Sequence, residues 1–284
     1  MNVFKWRVSP LQAGMRLLSF LREQCKDASS VKALKRAIDN KCCLVNGNIE
    51  TFSSFELHAG DEVTVDLTET VIAPCTVLYE DDALVAIHKR AGVVTSLEEL
   101  GIKNGFLVHR LDKETSGVLL IAKTAEVKTC LEALFKERKM RKLYLAIVDG
   151  KMEKKEGIID RAIGKKGSYA GQTVYGVVPP DEGARAITHF QTLCLGNKAS
   201  LVACEPKTGR THQLRVHLQA LSHPILGDRQ YCKKFSCSYA PKRNLLHAYE
   251  VQFTHPLTKA PIKIVAPIPS DFKEAMDALS LRFK

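Results

Sequence analysis

The chain has 284 residues, 45% apolar and 26% charged, which is enough apolar material for a folded core and excludes a mainly disordered chain. No apolar run approaches the ~18–20 residues of a membrane-spanning helix, and the N-terminal stretch carries Lys5, Arg7 and Arg16 without the apolar run of a secretory signal. Lys and Arg number 42 against 31 Asp and Glu, a net charge of +11; an excess of that size suits either a solvated basic surface or a polyanionic partner, usually nucleic acid.

Residues 1–68 read as a separate unit. A helix is predicted over residues 15–24, with Leu17, Leu18 and Leu21 inward. A second follows, capped by Ser29-Ser30 and running to Asn40. Its Val31, Leu34 and Ile38 fall at i, i+3 and i+7, and Lys32, Lys35 and Arg36 fall off that stripe. Residues 42–45 predict a strand, Asn46-Gly47 a hairpin turn and Ile49 the return. Val63, Val65 and Leu67 alternate as a half-buried strand after the Gly60-Asp61 turn. Charge is segregated: residues 1–41 hold nine basic and three acidic side chains, residues 42–68 five acidic and none basic.

Residues 69–74 read as a linker, after which strands are predicted at 84–87, 106–108 and 118–121. Residues 125–139 predict a helix through Val127, Leu131, Leu134 and Phe135, and residues 142–148 a strand ended by Asp149-Gly150. Residues 211–221 read as a helix with Leu214, Leu218 and Leu221 on one stripe, stopped by His223-Pro224; the alternation Leu214, Val216, Leu218 fits a strand almost as well. Strands and helices without regular βαβ alternation predict an α+β fold. The nine cysteines include no C-x-x-C, so zinc spacing is absent and they read as small core residues of a reducing, cytoplasmic compartment.

The polar stretch His109-Arg110-Leu111-Asp112-Lys113-Glu114-Thr115-Ser116-Gly117 lies between two apolar strands. A carboxylate flanked by cations and followed by Thr-Ser-Gly suits a fixed nucleophile or base. The same residues also fit a charged turn in which Asp112 bonds backbone N–H groups. The stretch resembles the H-R-L-D-x-x-T-S-G signature of the RluA family of pseudouridine synthases. Further motifs agree in order: Tyr79-Glu-Asp-Asp82 with Leu84-Val85 and Lys89-x-x-Gly92, then Lys142-x-Tyr144-x-Ala146-x-Val148, then Gly183-x-x-Ala186-x-Thr188. Thr208-Gly-Arg-Thr-His-Gln-Leu-Arg-Val-His217, His223-Pro-Ile-x-Gly227-Asp228, Leu246-His247-Ala248 and His255-Pro256 complete the set. The chain departs from the pattern at Arg90, where the family usually has proline, and in the 16 residues separating Gly92 from His109. The N-terminal unit resembles the S4 RNA-binding module through Gly14-x-Arg16-Leu17, Phe20-Leu21, Ser30, Lys35-Arg36-x-Ile38, Val45-Asn46-Gly47 and Leu57-x-x-Gly60-Asp61-x-Val63.

These resemblances imply an S4-like RNA-binding domain over residues 1–68. Residues 69–284 would form a pseudouridine synthase domain with a mixed, mostly antiparallel sheet. They imply isomerisation of uridine, without metal, nucleotide cofactor or redox step. Asp112 would be the catalytic carboxylate, Tyr144 would stack on the base and Arg215 would pair with Asp112. Leu214 would line the base pocket, and Arg110 would fill the gap left by a flipped uridine. On a helix His212, Arg215 and Gln219 share a face that could point at the loop, and His212 is expected to contact RNA. His109 is expected to fix the loop by hydrogen bonding. Lys32, Lys35 and Arg36 are expected to contact RNA, and the basic stretch 123–142 to contact phosphates. Arg215→Ala is expected to cost activity far more than stability. The expected partner is large-subunit (23S) ribosomal RNA or its precursor, bound by a monomer with no membrane association. A tRNA target and a non-catalytic ribosome-assembly role are the alternatives. A glycosidase would want a second acid, and Glu114 is the only acidic neighbour within the motif.

Overall fold

The computed structural model describes residues 3–25, 31–39, 42–67, 75–169 and 172–282. The Ser29-Ser30 cap, Asn40, the 69–74 linker and the side chain of Lys32 lie outside the described parts. Two compact units divide the chain, Met1–Val71 with Ser168–Gln172, and Ile72–Gly167 with Thr173–Lys284.

The first unit comprises β1 (Val3–Arg7), α1 (Leu17–Gln24), α2 (Val31–Asp39), β2 (Cys43–Val45), β3 (Asn48–Ile49) and β4 (Glu62–Asp66). Its sheet runs β1-β4-β2-β3 in antiparallel pairs. Asn46 and Gly47 turn the β2–β3 hairpin with φ of 51° and 77°, the left-handed backbone an Asn-Gly pair tolerates. Leu17, Phe20 and Leu21 of α1 and Leu34 and Ile38 of α2 pack over Cys43, Val63 and Val65. Lys35 is exposed and Arg36 half-buried. Strand β1 is not predicted from the sequence; it is an edge strand whose partner, β4, lies at the far end of the unit.

The second unit begins with β5 (Thr76–Glu80), β6 (Leu84–Lys89), β7 (Phe106–Leu107), β8 (Ser116–Ala122), α3 (Ala125–Lys136) and β9 (Arg141–Asp149). It continues through β10 (Glu156–Asp160), the hairpin β11 (Ile163–Tyr169) and β12 (Gln172–Val177), β13 (Ile187–Leu195) and β14 (Ala199–Pro206). It closes with α4 (Gln213–Ala220), β15 (Leu246–Thr254), β16 (Pro261–Val265) and α5 (Ser270–Ala278). Ten strands make one sheet in the order β10-β13-β14-β9-β15-β8-β6-β5, with β16 beside β15 and β7 beside β8. β8 and β15 run parallel, and the other pairings are antiparallel, which gives the mixed, mostly antiparallel sheet of the expected α+β fold.

The parallel seam sits where the Asp112 loop enters β8. Gly117 has φ of 120°, and a Cβ there would stand 2.1 Å from the Ala248 carbonyl oxygen on β15. Only glycine lets the two strands approach at this point. Residues 213–220 are helical and buried continuously from Gln213 to Leu218, which decides between the helix and strand readings of that segment. α3 stops at Lys136 rather than 139 because Arg138 takes a left-handed φ of 59°. The Arg138 and Lys139 N–H groups then donate back to the carbonyls of Phe135 and Leu134, a Schellman-type end without glycine. No helix among the described residues is long and apolar enough to cross a membrane.

Candidate active site

The loop after β7, the end of α3 with the start of β9, and the turn leading into α4 enclose an open cleft of about 720 Å³. Nine lysine and arginine side chains and two carboxylates, Asp112 and Glu205, line it. Glu205 is paired with Arg141 at 3.2 Å and with Lys207. Asp112 keeps one oxygen, Oδ1, without a hydrogen-bond partner among the described residues.

The loop carrying Asp112 is fixed through its backbone. Thr115 N–H donates to the Asp112 carbonyl at 3.0 Å. Thr95 Oγ1 donates to the Leu111 carbonyl at 2.8 Å and accepts the Leu111 N–H at 3.2 Å. Two buried cations hold the residues that follow. Lys89 Nζ donates to the carbonyls of Arg90, Val93 and Lys113 at 3.0, 2.7 and 3.1 Å. Burial pushes its pKa down to about 7, against the pull of Glu114, Cys75 and Asp112. Arg243, held by Asp271 at 2.5 and 3.0 Å, donates to the Glu114 carbonyl at 3.1 Å. On the other flank His109 Nε2 accepts the Leu120 N–H at 2.9 Å, with its ring 4.9 Å from Phe135. Burial, aided by Lys142, pushes its pKa down to about 3, so the ring is a neutral acceptor that ties the loop to β8, as the sequence predicts.

The opposite wall is set by α4. Gln213 accepts from Thr208 Oγ1 at 2.7 Å and Arg210 N–H at 3.0 Å, and donates to Ile187 O at 2.9 Å and Thr188 Oγ1 at 3.0 Å. This anchors the helix start and aims Arg215, whose Nε and Nη2 grip Asp228 at 2.7 and 2.8 Å. Nη2 also donates to Gln230 at 2.7 Å, and the guanidinium carbon lies 4.8 Å from the centre of the Tyr231 ring. The remaining Nη1 reaches Asp112 Oδ2 at 3.4 Å. Burial opposes the charge on Arg215, but the Asp228 hydrogen bonds and the nearby Asp112 outweigh it and hold its pKa above the ordinary arginine value. His212, at the helix start, brings Nε2 within 3.8 Å of the same Oδ2.

Tyr144 stands on β9; burial, with the charge of Asp112, raises its phenol pKa, so it stays protonated. Lys142, two residues before it on the same face of the strand, places Nζ 5.5 Å from the centre of the Phe135 ring and has no carboxylate partner among the described residues. Arg110 is exposed. Leu214 lines the cleft while packing into the apolar core.

Asp112, Tyr144, Arg215, Arg110, His212 and Leu214 therefore share one cleft, whereas Lys32, Lys35 and Arg36 belong to the other compact unit. Two expectations are corrected. Gln219 is exposed and does not line the cleft, because it lies one turn beyond Arg215, away from the helix start that faces Asp112. Of the basic stretch 123–142 only the end from Phe135 lines the cleft; Lys123 pairs with Glu80 at 2.8 Å and Lys128 with Glu132 at 3.7 Å. Sequence reasoning assigns nothing to Lys89, Asp228, Tyr231 or Arg243. The first two stand inside matched motifs, but no spacing rule points to the others. Among the described residues no group of three His, Cys, Asp or Glu side chains could hold a metal ion.

Burial also reverses the expectation for Arg215→Ala. Arg215 is 7% and Asp228 3% exposed, so removing the arginine strands a buried carboxylate, at a cost of about 3–5 kcal/mol. Urea unfolding of Arg215→Ala is predicted to show that loss. A stability within about 1 kcal/mol of wild type would contradict the pairing.

Comparison with known proteins accords with the geometry. The RNA pseudouridylate synthase family model matches residues 83–220. The uncharacterized RNA pseudouridine synthase YhcT of Bacillus subtilis is 35% identical over 94% of this chain and 94% of its own length. Ribosomal large subunit pseudouridine synthase C of Salmonella typhimurium is 32% identical, again over 94% of each chain. The structure of human RNA Pseudouridylate Synthase Domain Containing 4 superposes with a TM-score of 0.61 at 25% identity, covering 73% of this chain and 94% of that one. With the fold, the clustered motif residues and these relatives in agreement, the chain belongs to the RluA-type RNA pseudouridine synthases, intramolecular isomerases that act on RNA.

Proposed function

We propose that this enzyme acts in the cytoplasm, as a monomer, on uridines of large-subunit (23S) ribosomal RNA or its precursor, with Asp112 as the catalytic carboxylate. The observation that carries the assignment is the half-engaged state of Asp112. One oxygen faces Arg215 and His212, the other has no hydrogen-bond partner among the described residues, and the cleft around it is strongly basic. In the isomerisation the C1′–N1 bond breaks, uracil turns and C1′ joins C5; the proton lost from C5 is balanced by one gained at N1. The free oxygen serves either route open to a carboxylate, attack on C1′ or removal of a ribose proton to give a glycal. Tyr144 stacks on the base, and its raised pKa keeps it a proton donor rather than an anion beside Asp112. Leu214 forms an apolar side of the base pocket. Arg110, exposed and two residues from Asp112, fills the space left by the flipped nucleotide. Glu205 is tied to Arg141 and Lys207, so it is not the free second acid a glycosidase needs.

Residues 1–68 are read as an S4-like RNA-binding domain and residues 69–284 as the catalytic domain. Two helices over a four-stranded sheet, with Lys32, Lys35 and Arg36 on the second helix, support the reading. The ribosomal target is supported by the ribosomal large subunit enzyme of Salmonella typhimurium, whose match covers 94% of this chain.

Pseudouridine mapping in cells lacking the protein tests the target. Loss of a large-subunit rRNA modification, restored by wild type and not by Asp112→Asn, is predicted. Loss confined to tRNA would replace the rRNA reading, and full restoration by Asp112→Asn would remove Asp112 from the chemistry.

Deleting residues 1–68 tests the N-terminal reading. A lysine or arginine that neutralises an RNA phosphate steepens the log–log salt dependence of binding by about 0.7–0.9 units, so removing the three basic residues of α2 predicts a slope shallower by about 2–3 units. Conversion at saturating RNA should persist. Equal affinity of truncated and full-length chains at every salt concentration would make this unit a structural cap only.

A further inference from the structure

We propose that His212 and Tyr231 form a positioning pair that holds Asp112 by Oδ2, so that Oδ1 is the oxygen presented to the target ribose. The inference rests on the reading of Asp112 as the catalytic carboxylate and extends it to two residues outside the reacting groups.

The hydrogen bonds set the proton on His212. Tyr231 Oη accepts the Tyr175 N–H at 3.3 Å, so its own proton is available to His212 Nδ1, 2.7 Å away. With Nδ1 accepting, the ring proton sits on Nε2. That nitrogen faces Asp112 Oδ2 at 3.8 Å, while Arg215 Nη1 faces the same oxygen at 3.4 Å. Two donors therefore converge on one carboxylate oxygen and leave the other unengaged among the described residues. At 3.8 Å the Nε2 contact is longer than a hydrogen bond, and in the proposed arrangement it shortens when substrate closes the site.

The ring is also held in orientation. His212 has φ 54° and ψ 21°, a left-handed backbone that few L residues adopt and that persists where surrounding structure enforces it. Its ring lies edge-on between Tyr175 and Tyr231, with centroids at 5.9 and 5.6 Å. Burial and the cations Arg215 and Arg110 lower its pKa, outweighing Asp112 and Asp228, so the imidazole is neutral and carries one proton. Tyr175 lies on β12, so the base of the β11–β12 hairpin anchors the series of interactions that ends at the carboxylate.

The test is a double-mutant cycle with kcat and KM measured separately. Tyr231→Phe keeps the ring beneath Arg215 and removes only the hydroxyl. His212→Asn tolerates left-handed backbone and withdraws the Nε2 donor. We expect kcat to fall about tenfold in Tyr231→Phe and about 10- to 100-fold in His212→Asn, with KM within about twofold of wild type. The double variant should be no slower than His212→Asn, within about twofold, because Tyr231 acts through His212. Losses that multiply in the double variant, or that appear in KM, would overturn the proposal while leaving Asp112 in place. Full activity of Asp112→Asn in the same assay would overturn the underlying reading itself.

Discussion

One guanidinium organises the cleft. Arg215 is buried between two carboxylates of unlike status: Asp228, 3% exposed and bound through two nitrogens, and Asp112, bound loosely through a third. A buried arginine is tolerable only when its donors are satisfied, and Asp228 with Gln230 satisfies Nε and Nη2. That grip fixes the plane of the fork and leaves Nη1 aimed at Asp112. The Arg215–Asp228 pair pre-orients the Arg215–Asp112 contact, so the positive charge beside Asp112 does not need to be gathered when RNA binds.

The same logic runs through the loop itself. A reactive carboxylate on a mobile turn would spend most of its time misaligned. Here Lys89 and Arg243 clamp the carbonyls of Lys113 and Glu114, and His109 ties the other flank to β8. Lys89 and Arg243 are buried, whereas His109 is half-buried and lines the cleft; all three fix the loop that presents Asp112. Gly117 completes the arrangement by letting β8 and β15 meet directly after the loop.

The contrast between what the sequence discloses and what it hides follows interaction range. The helices of the first unit and α3 announce themselves through 3.6-residue apolar periodicity, and the Asp112 loop through a polar run between apolar strands. Strands β10 to β13 give no clear signal, since β13 alternates irregularly and β11 is polar, and the apolar run Leu201–Cys204 of β14 is too short to tell strand from helix. They are strands because distant partners supply the ladder, as in the Phe190–Cys204 and Ala203–Leu145 pairings. Asp112, Tyr144 and Arg215 are legible through motifs, yet their support is not. Tyr231 and Arg243 lie in the long irregular segment between α4 and β15, and only the folded chain brings them to the site. The burial of Asp228 is equally hidden, which is why the sequence points to a dispensable role for Arg215 in stability.

If Asp112 is the catalytic carboxylate proposed above, it requires a forked, pre-oriented guanidinium and not merely a positive charge. Arg215→Lys tests it directly, because lysine keeps the charge but cannot span both carboxylates. Single-turnover conversion of a target RNA by that variant is predicted to slow at least about 100-fold, with RNA affinity within about threefold of wild type. A rate within about tenfold of wild type would contradict the account.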